Sequence, residues 1–257
     1  MKKQLVVVLL LTLVLVFAAC TTNNTNSDYE YVKKNGELII GYTDYAPMNY
    51  FEGGVFTGFD TELAQAVCAK LQLKPNFVEI NWDTKEVELN AKTIDCIWNG
   101  LTITDGRKET MSITNPYVQN AQVVVMKADV AYTGTAMLIG KTVCAEMGSA
   151  GEETIEGDEN LSQANYVAKE VQTSCLMEVA AGTADAAVLD LTLAKAMIGP
   201  GTNYANLAIV DRLEVEDYGI AFRKGSDLCE KVNTILKELK NDGTLPNLAE
   251  KYSLDLS

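Results

Sequence analysis

The chain has 257 residues, 35 acidic against 21 basic, and a formal net charge of −14. So acidic a balance argues against nucleic acid and anionic ligands as partners. Histidine is absent, which removes the commonest general base and the commonest metal ligand, so no cofactor or metal site is expected and catalysis is demoted.

Lys2 and Lys3 precede an apolar run, residues 5–17, that ends in Ala18-Ala19-Cys20. The run is too short for a comfortable membrane span and reads as a signal peptide over residues 1–19. Residues 21–28 are polar and aperiodic, so residues 20–35 read as a flexible tether. No later segment is apolar enough to cross a bilayer, and an extracytoplasmic body is expected.

That body begins with a predicted strand, Glu37–Tyr42, and a turn-rich loop over residues 43–56 containing Pro47 and Gly53-Gly54. Leu63, Val67 and Leu71 at helical spacing predict a helix over Phe59–Leu71, with Asp60 available as N-cap. Residues 77–80 read as a strand, 84–92 as a short helix and 94–98 as a strand. The pattern then restarts, with strands at 122–126, 141–145, 166–171 and 184–189 and helices at 151–156, 175–181 and 192–197. Two short strands, 207–210 and 220–222, precede two closing helices, 227–241 and 245–252. Two α/β series imply two lobes, each a mostly parallel sheet flanked by helices. Ligands of such sheets sit outside the carboxyl ends of strands, where Tyr42 to Tyr45, Trp98 to Thr102, Glu146 to Ala150, and Asp190 all fall.

The stretch Trp98-Asn99-Gly100-Leu101-Thr102-Ile103-Thr104-Asp105-Gly106-Arg107 is the most informative. Arginine offers a fork that fits a carboxylate, while the Thr102 hydroxyl and the Gly100 carbonyl can accept hydrogen bonds from an ammonium group. Together they suit a zwitterion. Cys68, Cys96, Cys144, Cys175 and Cys229 lack the short spacing of a zinc site. Two readings stay open for Cys144 and Cys175: a disulfide across neighbouring strands, or buried free thiols as the default.

Six segments in order carry a resemblance: Tyr45-Ala46-Pro47; Thr57-Gly58-Phe59-Asp60; Leu101 to Thr104 before Arg107; Gly148-Ser149-Ala150; Gly182 to Asp190; and Tyr218 to Gly225. With these the chain resembles the solute-binding proteins of polar amino-acid ABC importers, which have the type II periplasmic-binding fold. The resemblance implies two hinge crossings, near residues 117–120 and 213–218. Lobe 1 would then comprise 36–118 and 217–257, and lobe 2 would be 119–216. It assigns Arg107 to a ligand α-carboxylate, Thr102 to both ligand charges through its hydroxyl and N–H, the Gly100 carbonyl to the site, and Asp190 to the α-ammonium. Ser149 and Ala150 would cap the carboxylate from a helix start, and Tyr45 and Trp82 would enclose the ligand side chain. Glu146 is placed at the side-chain pocket and Asp44 on the facing loop, so two carboxylates beside aromatic rings would suit a basic amino acid. Glutamine or cystine is the alternative ligand, and an enzyme resembling cyclohexadienyl dehydratase on the same fold is the alternative class. The residues before Cys20 resemble a bacterial lipoprotein cleavage box, which implies lipidation of Cys20 and attachment to the outer face of the cell membrane. The implied partners are a small amino acid and a membrane permease, with the chain itself monomeric.

Overall fold

The structure is a computed structural model in which residues 27–257 are described. The expected signal peptide, Cys20 and residues 21–26 lie outside the described residues.

The described chain opens with a helix, α1 (Asp28–Asn35), where a flexible tether is expected. The Ser27 side chain accepts from the Glu30 N–H, acidic residues occupy the first turn and Lys33 and Lys34 the last, and Gly36 closes the helix at φ 76°. Its polar composition hides one anchor, the fully buried Val32. The next elements are β1 (Glu37–Tyr42), the hairpin β2 (Tyr50–Glu52) and β3 (Val55–Thr57), and α2 (Phe59–Leu71). Asp60 does not cap α2. Gly58 holds that position, and the buried Asp60 carboxylate instead accepts from the Trp98 indole (3.2 Å), the Gly100 N–H (2.8 Å) and the Tyr117 hydroxyl (2.8 Å).

Then follow β4 (Lys74–Glu79), a 3-10 turn (Trp82–Thr84), α3 (Lys85–Ala91), β5 (Cys96–Thr102), α4 (Asp105–Thr110), β6 (Met111–Ile113) and β7 (Val118–Lys127). The second series is β8 (Thr142–Glu146), α5 (Ala150–Gly157), β9 (Asn165–Lys169), α6 (Gln172–Ala181), β10 (Ala186–Asp190) and α7 (Leu191–Met197). One strand of 17 residues, β11 (Leu207–Arg223), replaces the two short strands predicted there. Its charged middle breaks the apolar pattern, and two bulges against β7 break the alternation of faces. Helices α8 (Leu228–Asn241) and α9 (Thr244–Tyr252) complete the fold.

The sheet order is β4-β1-β5-β11-β7-β10-β8-β9, with β6 also paired to β11. The trios β4-β1-β5 and β10-β8-β9 are parallel, as expected. They are joined by the antiparallel β7 and β11, whose register runs from Leu207 opposite Lys127 to Tyr218 opposite Val118. The parallel trios therefore present their carboxyl ends to the middle of the molecule. Leu38, Ile40, Phe59, Leu63, Trp98 and Phe222 are fully buried on one side, and Val124, Val143, Leu161 and Val188 on the other. Cys68, Cys96, Cys144, Cys175 and Cys229 are free buried thiols, with the Cys144 Sγ 3.7 Å from the Cys175 carbonyl. No described helix is long and apolar enough to cross a membrane.

Candidate functional site

β5 ends in the Gly100 to Thr102 segment, and its shape depends on Gly100. This residue sits at φ 61°, and a Cβ there would lie 2.9 Å from the Tyr45 ring and 3.0 Å from the Tyr218 ring. Thr104 then caps the short helix α4 by accepting from the Arg107 N–H at 3.2 Å. This sets the Arg107 side chain against the end of β5, where Nη1 donates to the Thr102 carbonyl at 2.9 Å. Nη2 reaches across to the second series, to the Gly148 carbonyl (3.3 Å) and the Glu153 carboxylate (2.7 Å).

On the facing wall, β8 ends at Glu146 and a turn leads into α5. Ser149 caps this helix by accepting from the Glu152 N–H. A helix's first-turn N–H groups have no acceptor within it, and its dipole favours an anion there. Asp190 is the N-cap residue of α7 but makes no side-chain cap bond. Its carboxylate instead accepts from Asn120 (2.6 Å), Gln122 (2.7 Å) and Gln172.

Tyr45, Trp82, Asn99, Gly100, Thr102, Arg107, Glu146, Ser149, Ala150, Gln172 and Asp190 surround a tight cavity of about 10 Å³. Nine of the ten residues selected from the sequence are therefore brought together. Asp44 is the exception, for it is exposed and is not part of the lining. Its carboxyl is raised by partial burial and by Glu79, which places it toward the end of β4. The Tyr45 hydroxyl meets Tyr218 at 2.6 Å and also bonds Thr192, linking the first series to α7.

The cavity holds carboxyl groups that no cation pairs with. Glu146 is 3% exposed and its Oε1 has no hydrogen-bond partner. Burial and Asp190 push its carboxyl up to about 8. Among the described residues no lysine or arginine forms an ion pair with Glu146, Asp190 or Glu216. Sequence reasoning did not reach Lys85, whose buried ammonium donates to the Gly148 carbonyl (2.8 Å) and the Trp82 carbonyl (3.2 Å). It also lies over the Trp82 ring, 5.0 Å from the centroid. Burial and the neighbouring Arg107 push its pKa down to about 8. A lone lysine at a helix start carries no signal of such a position, nor does a glutamate in a charged run such as Glu216. The described residues contain no group of three or more His, Cys, Asp or Glu side chains arranged to hold a metal ion.

The family model for bacterial extracellular solute-binding proteins, family 3, matches residues 38–255. The probable amino-acid-binding protein YxeM of Bacillus subtilis (strain 168) is 33% identical over 98% of this chain and 95% of its own length. The L-cystine-binding protein TcyJ of Escherichia coli (strain K12) is 30% identical over 86% of this chain and 84% of its own. Among solved structures, Tv2483 bound to L-arginine superposes with a TM-score of 0.81 at 29% identity, covering 88% of this chain and 93% of that one.

Proposed function

Because the chain belongs to the bacterial extracellular solute-binding proteins, family 3, we propose that it captures an amino acid between two closing lobes and presents it to the permease of an ABC importer. The lobes are residues 36–118 with 217–257, and residues 119–216. One observation carries the ligand class: Arg107 and Asp190 face one enclosed cavity from opposite series of the fold, so neither series alone satisfies both charges of a zwitterion. In this reading Arg107 and the start of α5 at Ser149 and Ala150 hold the α-carboxylate. Asp190, the Thr102 hydroxyl and the Gly100 carbonyl hold the α-ammonium, and Tyr45 and Trp82 flank the side chain. Ligand binds the closed form better, and that difference in affinity shifts the lobes together.

The unpartnered Glu146 oxygen favours a basic side chain, arginine, lysine or ornithine, as the missing donor. Glutamine or cystine is the second reading, favoured by Lys85, which already covers the Trp82 ring with a cation. A melting screen against the twenty amino acids, ornithine and cystine tests the class, and calorimetry with arginine, lysine, glutamine and cystine tests the side chain. Stabilisation without turnover supports a binding protein, whereas consumption of the ligand supports the dehydratase-like alternative. Glutamine or cystine binding at least tenfold tighter than every basic amino acid, about 1.4 kcal/mol, refutes the basic-ligand reading. The proposal includes lipid attachment at Cys20, for which Cys20→Ser should release the protein from membranes or leave it unprocessed.

A further inference from the structure

Glu216 lies on β11 opposite Asn120 of β7, where the two long strands pass between the parallel trios. Its Oε1 accepts from the Asn120 carboxamide (2.6 Å), the Gln122 carboxamide (2.9 Å) and the Thr102 hydroxyl (2.9 Å). The same two carboxamides donate to Asp190 Oδ1, at 2.6 and 2.7 Å, so the two carboxyls share both donors. Asn120, Gln122 and Asp190 are 2%, 1% and 5% exposed, so the shared donors are buried, while Glu216 itself is half-buried and borders the open cleft between Thr102 and Glu153.

We propose that Glu216 is a second acidic group of the ammonium subsite, protonated while the site is empty and deprotonated to solvent when an ammonium group docks. The inference rests on Asp190 being the ammonium's partner. Two carboxyls that share buried donors cannot both ionise without a counter-charge, and an ammonium supplies it. The charges balance: one proton leaves Glu216 for water or buffer, no bond to carbon changes, and the incoming cation replaces the proton's charge. Burial and Asp190 both raise the Glu216 carboxyl, in the direction this requires. Thr102 has a single hydroxyl proton, and donating it to Glu216 leaves the hydroxyl lone pairs for the ammonium.

The other titratable groups around the pair are Glu146 from β8 and the hydroxyls of Tyr45 and Tyr218, with Glu214 and Asp217 on Glu216's own strand; across the cleft that Glu216 borders stand Asp105 and Lys108 of α4, paired with each other at 3.3 Å, and Glu153 and Asp158 of α5 and its end. Arg107 is turned to Thr102, Gly148 and Glu153, and Lys85 to the Trp82 and Gly148 carbonyls. None of these cations supplies the missing charge.

Calorimetry with L-arginine, L-glutamine and L-cystine, and with any other standard amino acid that binds in the melting screen, provides the test. It is run between pH 6 and 8 in buffers of different ionisation enthalpy. The unmodified protein should release protons on binding, and its Kd should fall as pH rises, by up to about tenfold per unit. Glu216→Gln should bind more weakly at pH 8, release fewer protons and show a flatter pH slope. Glu216→Asp, which keeps a carboxyl, should keep the slope. Glu146 is present in all three proteins, so the differences isolate Glu216. Equal slopes and proton counts for Glu216→Gln and the unmodified protein overturn the inference while amino-acid binding stands. Absence of binding heat with every amino acid overturns the ligand reading and this inference with it.

Discussion

Arg107 and Asp190 are each nearly buried and each held by polar partners, so both are fixed before any ligand arrives. Removing one partner of a buried charge pair costs on the order of 3–5 kcal/mol, partly because the other charge is stranded. A micromolar complex has about 8 kcal/mol of binding free energy in total. Arg107→Ala and Asp190→Asn should therefore each weaken binding at least about 100-fold in calorimetry, while circular dichroism reports a folded chain. Near-normal affinity in either variant would show that its residue does not hold ligand charge. Glu146 yields a prediction in pH. Its carboxyl rises from an unfolded value near 4.3 to about 8 in the fold, so across that window the folded chain binds more protons than the unfolded one. Stability is then fully present below the unfolded pKa and is lost as pH rises through the folded one. Glu146→Gln removes this loss and should raise the ligand-free Tm at pH 8 by about 2–4 °C for each kcal/mol recovered, with little change at pH 4. A fall in Tm at pH 8 would contradict it. That Arg107, Thr102 and Asp190 meet at one cavity was legible in the sequence because strand ends and a chain of ordered motifs locate them. The place of Asp44 outside that lining was not legible because loop direction is set by tertiary packing, nor was that of Glu216, because a charged strand gives no sign of facing another carboxyl.

Among the elements, α1 shows how a short polar segment becomes part of a fold. The Arg223 guanidinium donates to Asp28 (2.8 Å), Asp95 (3.1 Å) and the carbonyls of Leu89 and Ile94. Asp95 is 2% exposed and also accepts from the Ile39 N–H at 3.0 Å. One arginine at the end of β11 thus ties α1, the α3–β5 connection and β1 together. Arg223→Met would strand Asp95 and should lower stability by about 3–5 kcal/mol in chemical denaturation, with affinity below the transition largely retained. A loss under about 1 kcal/mol, the scale of a surface ion pair, would mean the network is not a tie. None of this was visible in the sequence, where residues 28–35 offer one buried apolar side chain and the partners lie some 60 to 195 positions away. The same reason explains β11: its ends are apolar and readable, but its middle is a strand only because β7 lies beside it. Elements with local periodicity, such as α2 and β1, were predicted with their observed bounds.

For the whole molecule, the proposed closure depends on how nearly the loop at Gly148 can approach the Trp82–Thr84 turn. Gly148 sits at φ 71°, a conformation that L side chains rarely adopt, and a Cβ there would lie 3.0 Å from the Asp83 Cα and 3.3 Å from the Lys85 ammonium. Its carbonyl accepts from both Lys85 and Arg107, so one peptide gathers two cations from the opposite series. Those contacts exist only when the two series are together. Gly148→Ala should therefore act mainly on the closed form: the added methyl meets main chain at Asp83, and the backbone strain tilts the carbonyl away from its two donors. The expected result is at least about tenfold weaker binding, 1.4 kcal/mol or more, appearing chiefly as faster ligand release. Small-angle scattering should show the usual protein contracting on saturation with ligand and the variant contracting less. Lys85→Met separates the two contributions, since it removes one donor and leaves the backbone untouched. If Lys85→Met and Gly148→Ala both bind and contract like the unmodified protein, the Gly148 loop is not a closing contact and the lobe-closure mechanism must rest on Arg107 and Asp190 alone.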